Sequence, residues 1–220
     1  MHLRLKFAVL ASAVVLSACA PMSGAPQNTM GFFVTSANPG QGADLGGLAG
    51  ADAYCQKLAS SVNAGSKNWR AYLSAAPAGS TPAVHARDRI GRGPWQNARG
   101  VVVATSVDNL HSETNQLTKA NALTEKGEVV SGRGDPVNMH DILTGSTADG
   151  RLDTSASDTT CGNWTKSGEG SAMVGHHDRT GLDQSAPAKS WNASHPTRGC
   201  GMEALKSTGG AGLMYCFAAN

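Results

Sequence analysis

The 220-residue sequence has no large excess of charge of either sign. It carries 18 basic and 16 acidic residues, a formal net charge of +2. Loss of residues 1–18 would also remove Arg4 and Lys6 and leave 16 of each kind. Because a protein that binds nucleic acid through its phosphates needs a strong basic surplus, we expect no nucleic-acid partner.

The motifs of common enzyme classes are also missing. The sequence contains no G-x-S-x-G, no H-E-x-x-H and no P-loop, and no G-x-G-x-x-G follows a predicted strand. No catalytic residue is predicted, and we expect the chain not to be an enzyme.

Long apolar runs are confined to the N-terminus. The run Phe7–Leu16 follows a basic start and is too short to span a membrane, which is typical of an export signal. "LSAC", ending at Cys19, resembles the lipobox of bacterial lipoproteins and implies acylation of Cys19, with Ala20 implying the outer membrane, at its periplasmic face or the cell surface. We therefore divide the chain into a lipoprotein signal peptide (1–18), a flexible tether (19–29) and one domain (30–220). The alternative is an ordinary signal peptide cleaved after "ACA".

The cysteines include no C-x-x-C pair, which leaves a zinc ribbon or a thioredoxin-like site with little support. Besides Cys19 there are four: Cys55, Cys161, Cys200 and Cys216. An even number of cysteines in an exported chain predicts disulfides, and from the count alone three connectivities are open.

Aromatic residues are few, at 5%, and 27 glycines are present, which favours a loop-rich fold over a helical bundle. Apolar periodicity predicts a helix over 49–62. Residues 112–160 are polar and turn-rich. These features predict an α+β domain, with strands over 31–37, 68–75, 100–105 and 212–218.

Three segments carry a resemblance to the endostatin domain. "GGLAGADAYCQKLA" followed by "NWRAYLSA" resembles its start, and "LTGSTADGRLDTSASDTTCGNWT" resembles its segment with a cysteine before a tryptophan. "GCGMEALKSTGGAGLMYCFA" resembles its last two cysteines and terminal strand. The resemblance covers roughly residues 31–219 and implies a C-type-lectin-like fold. It also implies two nested disulfides, Cys55–Cys216 and Cys161–Cys200.

A lectin-like fold raises the question of calcium. The E-P-N or Q-P-D loop and the W-N-D strand of calcium-dependent lectins are absent, and the carboxylates of 149–158 miss the EF-hand spacing. We therefore expect no cofactor.

A basic run offers a ligand site. The resemblance implies that arginines clustered near Trp95 hold sulfated polysaccharide, to which a guanidinium is suited: Arg87, Arg89, Arg92 and Arg99. Alternatively, these arginines pair with Asp88 and the acidic segment 100–158. Trp191, in the polar "KSWNASHP", is predicted to be partly exposed and able to stack on a sugar.

Metal binding is a weaker hypothesis. His176 and His177 are the first candidates, and His111, His140 and His195 are possible companions. Adjacent side chains of an extended chain point to opposite faces, so only one of His176 and His177 need face a site. The simpler interpretation, loop histidines that bond backbone or solvent, is favoured.

The sequence thus predicts a surface-exposed, lectin-like, non-catalytic lipoprotein of the adhesin type. Its expected partners are a glycan, a sulfated polysaccharide or an extracellular matrix protein, and the membrane through the lipid anchor. The alternative from a different class is a structural envelope lipoprotein with no soluble ligand.

Overall fold

A computed structural model describes Met1 and residues 28–219. Apart from Met1, the predicted signal peptide lies outside these residues, as do the predicted acylation site Cys19 and nearly all of the predicted tether. The described chain is an α+β fold, as predicted. None of its helices combines the length and the apolar character needed to cross a bilayer.

The helices are short except for the first. They are α1 (Gly47–Ser61), α2 (Ala86–Arg89), α3 (Val107–Leu110), α4 (Cys161–Trp164) and α5 (Met202–Lys206), and a 3-10 turn covers Pro187–Lys189. The strands are β1 (Phe32–Val34), β2 (Trp69–Ala71), β3 (Trp95–Gln96), β4 (Val102–Ala104), β5 (Asp141–Leu143), β6 (Met173–His176), β7 (His195–Pro196) and β8 (Gly210–Ala218).

Six of the strands form the main sheet. Its order is β1-β8-β5-β6-β7, and β2 also pairs with β8. Strands β5 and β8 are parallel, whereas the other pairs are antiparallel. A separate hairpin joins β3 to β4. The terminal strand β8 is therefore central in space.

Strand β8 buries both of its faces, which explains why its sequence is almost continuously apolar. Met214 and Cys216 belong to the core beneath α1, whereas Tyr215 and Phe217 belong to a second core on the opposite face. Successive side chains of a strand point to opposite faces, so one strand supplies both cores. The predicted last buried strand is confirmed.

Helix α1 packs on the first core and closes the domain. Gly46, its N-cap, has φ +72°, a left-handed conformation that suits glycine. Cys55 lies buried in α1 and is bonded to Cys216 of β8, across a sequence separation of 161 residues. Cys161 is bonded to Cys200. The predicted nested pairing is confirmed, and restricting the unfolded chain makes each bond worth about 3–5 kcal/mol.

Candidate metal centre

Strands β5, β6 and β7 are neighbours in the sheet and bring three histidines together. Asp141, the first residue of β5, pairs with His176, the last residue of β6. His195, the first residue of β7, pairs with Val174 of β6. His140 directly precedes β5. Because these short strands pair in this register, four side chains that are far apart in sequence lie at the same end of the sheet.

The three imidazoles converge on one carboxylate oxygen. Oδ1 of Asp141 lies 3.1 Å from Nε2 of His140 and 3.3 Å from Nε2 of His176. Nε2 of His195 lies 3.5 Å from the same oxygen. Ligand atoms about 2.0–2.1 Å from a tetrahedral zinc ion are separated by about 3.3 Å. The separations from Oδ1 are close to this value, and the ligand atoms of His140, Asp141 and His176 all lie within 4.8 Å of one another, a group that does not include His195.

The carboxylate at the centre is buried and unsatisfied. The Asp141 side chain is 1% exposed, and neither of its oxygens has a hydrogen bond of good geometry, nor does Nε2 of His176. Such groups are rare in folded proteins because burying a polar group without a partner is costly. His177 Nδ1 is also buried without a partner in the described chain, but only Asp141 and His176 of residues 28–219 place such atoms beside other potential metal ligands.

The charge state of the cluster agrees with this interpretation. Burial by itself raises the pKa of the Asp141 carboxyl, but the adjacent imidazoles of His176, His195 and His140 outweigh burial and hold that pKa below its ordinary value. The pKa of His195 is raised, chiefly by the Asp141 carboxylate. Asp141 is therefore an anion at neutral pH.

The outer nitrogen of each histidine faces an acceptor. Nδ1 of His176 lies 2.8 Å from the Ala188 carbonyl oxygen, and Nδ1 of His195 lies 3.1 Å from that of Pro196. Nδ1 of His140 lies 3.3 Å from Oδ1 of Asp178. In a neutral imidazole a proton on Nδ1 leaves a lone pair on Nε2. With the proton on Nδ1 in each ring, the three Nε2 lone pairs would face Asp141, as in histidines that bind metals; without a metal, a proton on Nε2 would instead bond the Asp141 carboxylate.

Asp178 is the carboxylate among these three acceptors. It accepts hydrogen bonds from the backbone N–H of Arg133, at 2.7 Å, and of Thr180, at 3.1 Å. Burial raises the pKa of Asp178, but the hydrogen bond with His140 and those from the backbone dominate and hold it well below its ordinary value. The ring of His140 therefore lies between two carboxylates, Asp178 at Nδ1 and Asp141 at Nε2.

Close packing fixes the rings. The rings of His140 and His176 stack with centroids 4.1 Å apart and planes 12° apart. A Cβ at Gly209 would lie 2.9 Å from Nε2 of His140, and one at Gly175 would lie 2.0 Å from the Trp191 carbonyl oxygen. Glycine at these two positions lets neighbouring chain segments close around the cluster.

Only part of the predicted histidine set converges. His177 points away from Asp141, with Nε2 at 3.2 Å from the Ser131 carbonyl oxygen, and burial lowers its pKa. His111 bonds Tyr72 and the Val107 carbonyl instead. Histidines that bond backbone, the interpretation favoured from sequence, therefore describe His111 and His177. His176 and His195 also face backbone carbonyls through Nδ1.

The arginines do not form one open patch. Nη2 of Arg89 lies 2.7 Å from Oδ2 of Asp52, a partner that the sequence did not indicate. Arg87 pairs with Asp108 at 3.2 Å, which agrees with the alternative that invoked the acidic segment. Arg92 is exposed.

The remaining members of the run do not complete a patch. Arg99 is exposed and donates to the Gly127 carbonyl oxygen, at 2.8 Å. Asp88 forms no ion pair within residues 28–219. Two of the four arginines are therefore committed to structural ion pairs.

The two tryptophans expected at a ligand site are buried. The prediction that Trp191 is partly exposed is wrong: it is 3% exposed and packs on Tyr72, with ring centroids 4.9 Å apart. Its neighbours are polar, but the chain here runs along β6, where Ser194 N–H donates to the Val174 carbonyl, and this turns the indole into the second core. Trp95 is 1% exposed and donates through Nε1 to the Ala218 carbonyl oxygen, so it cannot stack on a sugar.

Sequence reasoning missed Asp141 altogether. The available signal was "HD" at the start of an apolar strand, "GHH" at the end of another and "SHP" in a third short segment. No protein-family model matches the chain, and no curated protein matches it significantly in sequence. Function therefore has to be inferred from the geometry of the site.

Proposed function

We propose that this domain binds one divalent transition-metal ion, of the zinc class, through His140, Asp141, His176 and His195. The observation that carries the proposal is the buried Asp141 carboxylate, which lacks hydrogen bonds and has three imidazole Nε2 atoms within 3.5 Å. A bound dication would neutralise the carboxylate and give each lone pair a partner.

The donor set selects the kind of metal. Calcium and magnesium prefer six or more oxygen ligands, whereas imidazole nitrogen suits zinc and its neighbours in the first transition row. His140, Asp141 and His176 are the ligands already close to one another; with His195 as the fourth, the set would complete a tetrahedron and leave no position for water, which is the pattern of structural zinc sites. This supports a non-catalytic domain.

The ion would cross-link the strands at one end of the sheet. Its ligands come from β5, β6 and β7, three strands of two to four residues that have few hydrogen bonds of their own. The disulfides fasten α1 to β8 and α4 to the segment before α5. Metal and disulfides would therefore stabilise different parts of a loop-rich chain.

We further propose that the domain is C-type-lectin-like, of the endostatin kind, and is displayed by an outer-membrane lipoprotein that recognises a glycan or matrix component. The nested disulfide pairing and the central terminal strand support this fold identity. The paired arginines weaken the basic run as the ligand site, so a different surface has to bind the ligand. A structural envelope lipoprotein remains the competing proposal, and it predicts no soluble ligand.

A metal titration tests the principal proposal. Protein stripped with a chelator should bind one Zn²⁺ per chain in isothermal titration calorimetry, and Asp141→Asn and His176→Gln should abolish that binding. His85→Gln is the matched control, because His85 lies outside the cluster and accepts from the Leu152 N–H. Wild-type protein that binds no ion, or equal loss in His85→Gln, would refute the site.

A further inference from the structure

A second concave region lies beside the metal centre. It is a depression of about 600 Å³, here called the Arg179 pocket, whose polar lining comes from His111, Glu113, Arg179, Gln184, Lys189 and Asn192. Residues of the loop 181–190 line both this pocket and a smaller depression of about 230 Å³ against His140, His176 and His195. One loop therefore separates two different chemical environments.

Arg179 is the distinctive group of this pocket. It is half-buried, yet its guanidinium has no ion pair with any carboxylate of residues 28–219. Nε donates to the Leu117 carbonyl oxygen at 2.6 Å, and Nη2 donates to Oδ1 of Asn115 at 2.5 Å. Nη1 has no partner in the described chain. Arginine at a shielded position is normally paired, and its planar fork suits a bidentate anion.

The backbone at Arg179 is also unusual. Its φ is +53°, in the left-handed region that residues with a Cβ rarely adopt. The side chain is fixed in this position by its bonds to Asn115 and Leu117, so the free face of the guanidinium is held in place before any ligand arrives. Such preorganisation reduces the entropy cost of binding.

The other charged side chain of positive sign in the lining also favours an anion. Lys189 adds a second positive charge with no ion pair among the described residues, against a single acidic group, Glu113. On the pocket floor, His111 donates from Nδ1 to the Val107 carbonyl and accepts at Nε2 from the Tyr72 hydroxyl, at 2.7 Å. Asn192 donates to the same hydroxyl at 3.0 Å. The floor is thus a rigid, neutral hydrogen-bonding surface.

We propose that the Arg179 pocket binds a sugar unit that carries a carboxylate, as in a uronic acid. The carboxylate would take the free face of Arg179 and the charge of Lys189, and the sugar hydroxyls would bond Gln184, Glu113 and the floor. The volume suits a mono- or disaccharide, since small-molecule pockets commonly measure about 300–1,000 Å³. This inference rests on the proposed glycan recognition and specifies an acidic sugar as the ligand. Binding at this site requires no metal ion.

A matched pair of ligands tests the carboxylate. Glucuronate and glucose differ in the group at C6, and each is titrated into the intact protein while tryptophan fluorescence and amide NMR shifts are followed. We expect glucuronate to bind about tenfold or more tightly than glucose, as a charge-assisted hydrogen bond requires. Inorganic sulfate, acetate and a sulfated disaccharide are titrated in parallel.

Variants locate the site. Lys189→Gln changes a side chain that has no ion pair among the described residues, and it should weaken glucuronate binding without affecting folding. Arg179→Lys keeps the positive charge but loses the planar guanidinium, and it should weaken glucuronate binding further. Arg92→Gln is the control, because Arg92 is exposed and outside the pocket. His176→Gln should leave glucuronate binding intact, which separates this site from the metal centre.

The following results would overturn the proposal. Equal affinity for glucose and glucuronate would remove the carboxylate from recognition. Equal affinity for acetate or sulfate would reduce the pocket to a simple anion site, and tighter binding of the sulfated disaccharide would identify sulfate as the recognised group. No binding by glucuronate, or an equal loss in Arg92→Gln, would remove the site. If all sugars fail while Zn²⁺ still binds, glycan recognition fails and the metal proposal stands.

Discussion

Two buried carboxylates in this domain have opposite surroundings. Asp52 of α1 accepts from Arg70 and Arg89, both at 2.7 Å, and from the Ala71 N–H at 2.9 Å. Asp141 of β5 is as well buried, but its neighbours are three imidazoles, and among the described residues neither of its oxygens has a hydrogen bond of good geometry. The fold itself pairs Asp52 with the permanent positive charges of two arginines. Under the proposal, the charge of the second carboxylate is balanced when a metal ion binds.

Removing the first carboxylate should have the largest effect on stability. Asp52→Ala leaves the mostly buried Arg89 without its anion, and breaking a buried ion pair costs about 3–5 kcal/mol. We expect this loss in denaturant unfolding whether or not Zn²⁺ is present. A loss below about 1 kcal/mol would mean that solvent replaces the carboxylate.

Removing the second carboxylate should behave differently. In chelator, Asp141→Asn should cost less than Asp52→Ala, because it removes only the stabilisation between the carboxylate and its imidazole neighbours, which is reflected in the lowered pKa of Asp141. With Zn²⁺ at a hundred times the dissociation constant, the wild type should gain about 2.7 kcal/mol that the variant lacks. Equal destabilisation of the variant with and without Zn²⁺ would make Asp141 an ordinary structural residue like Asp52.

The pH dependence of stability should reverse when the metal binds. In chelator, the raised pKa of His195 gives stability that is lost as pH rises through that pKa. The lowered pKa of Asp141 gives stability that is lost as pH falls through that pKa. From about pH 6 to 8 this pair should therefore lose stability in the metal-free protein, whereas His111 and His177, whose pKa values are lowered chiefly by burial, contribute the opposite slope with or without metal.

The Zn²⁺-loaded protein should gain stability over the same range, because the metal needs deprotonated imidazoles. Melting temperatures measured in chelator and in Zn²⁺ across this range give the two slopes. If melting temperature changed with pH in the same way in chelator and in Zn²⁺, ligation by these histidines would be contradicted.

The basic run should give the smallest effects. Arg92→Ala and Arg99→Ala change exposed side chains and should each alter stability by less than about 0.5 kcal/mol. Because Arg87 and Arg89 are engaged in ion pairs, the wild type should elute from heparin at low salt, and replacing all four arginines should lower the melting temperature. Salt-resistant heparin binding that disappears in a folded quadruple variant would restore the patch predicted from sequence.

Local patterns were sufficient for much of the fold. The helical periodicity around Cys55 and the apolar run around Cys216 identified α1 and β8, and the resemblance supplied the disulfide between them. The metal cluster was not predictable in this way. Its ligands are separated by up to 55 positions, from His140 to His195, and they meet only through the pairing of three very short strands.

For Trp191 and Arg89, the neighbouring residues in sequence did not predict where the side chain lies. Trp191 stands in a polar stretch, but the pairing of that stretch along β6 turns its ring inward. Arg89 was expected to pair with nearby acids or stay free, whereas its partner, Asp52, comes from α1, 37 positions away. Side-chain direction depended on tertiary pairing that no local pattern contains.

The most direct test of the metal centre is the absorption spectrum of the protein loaded with Co²⁺ in place of Zn²⁺, with native mass spectrometry to count the ions. The structure predicts one ion per chain and the visible bands of a tetrahedral site with three nitrogen ligands and one oxygen. His176→Gln and Asp141→Asn should lack both the ion and the bands, while His85→Gln keeps them. A chain that retains no ion, or the weak spectrum of an octahedral, water-ligated ion, would contradict the assignment.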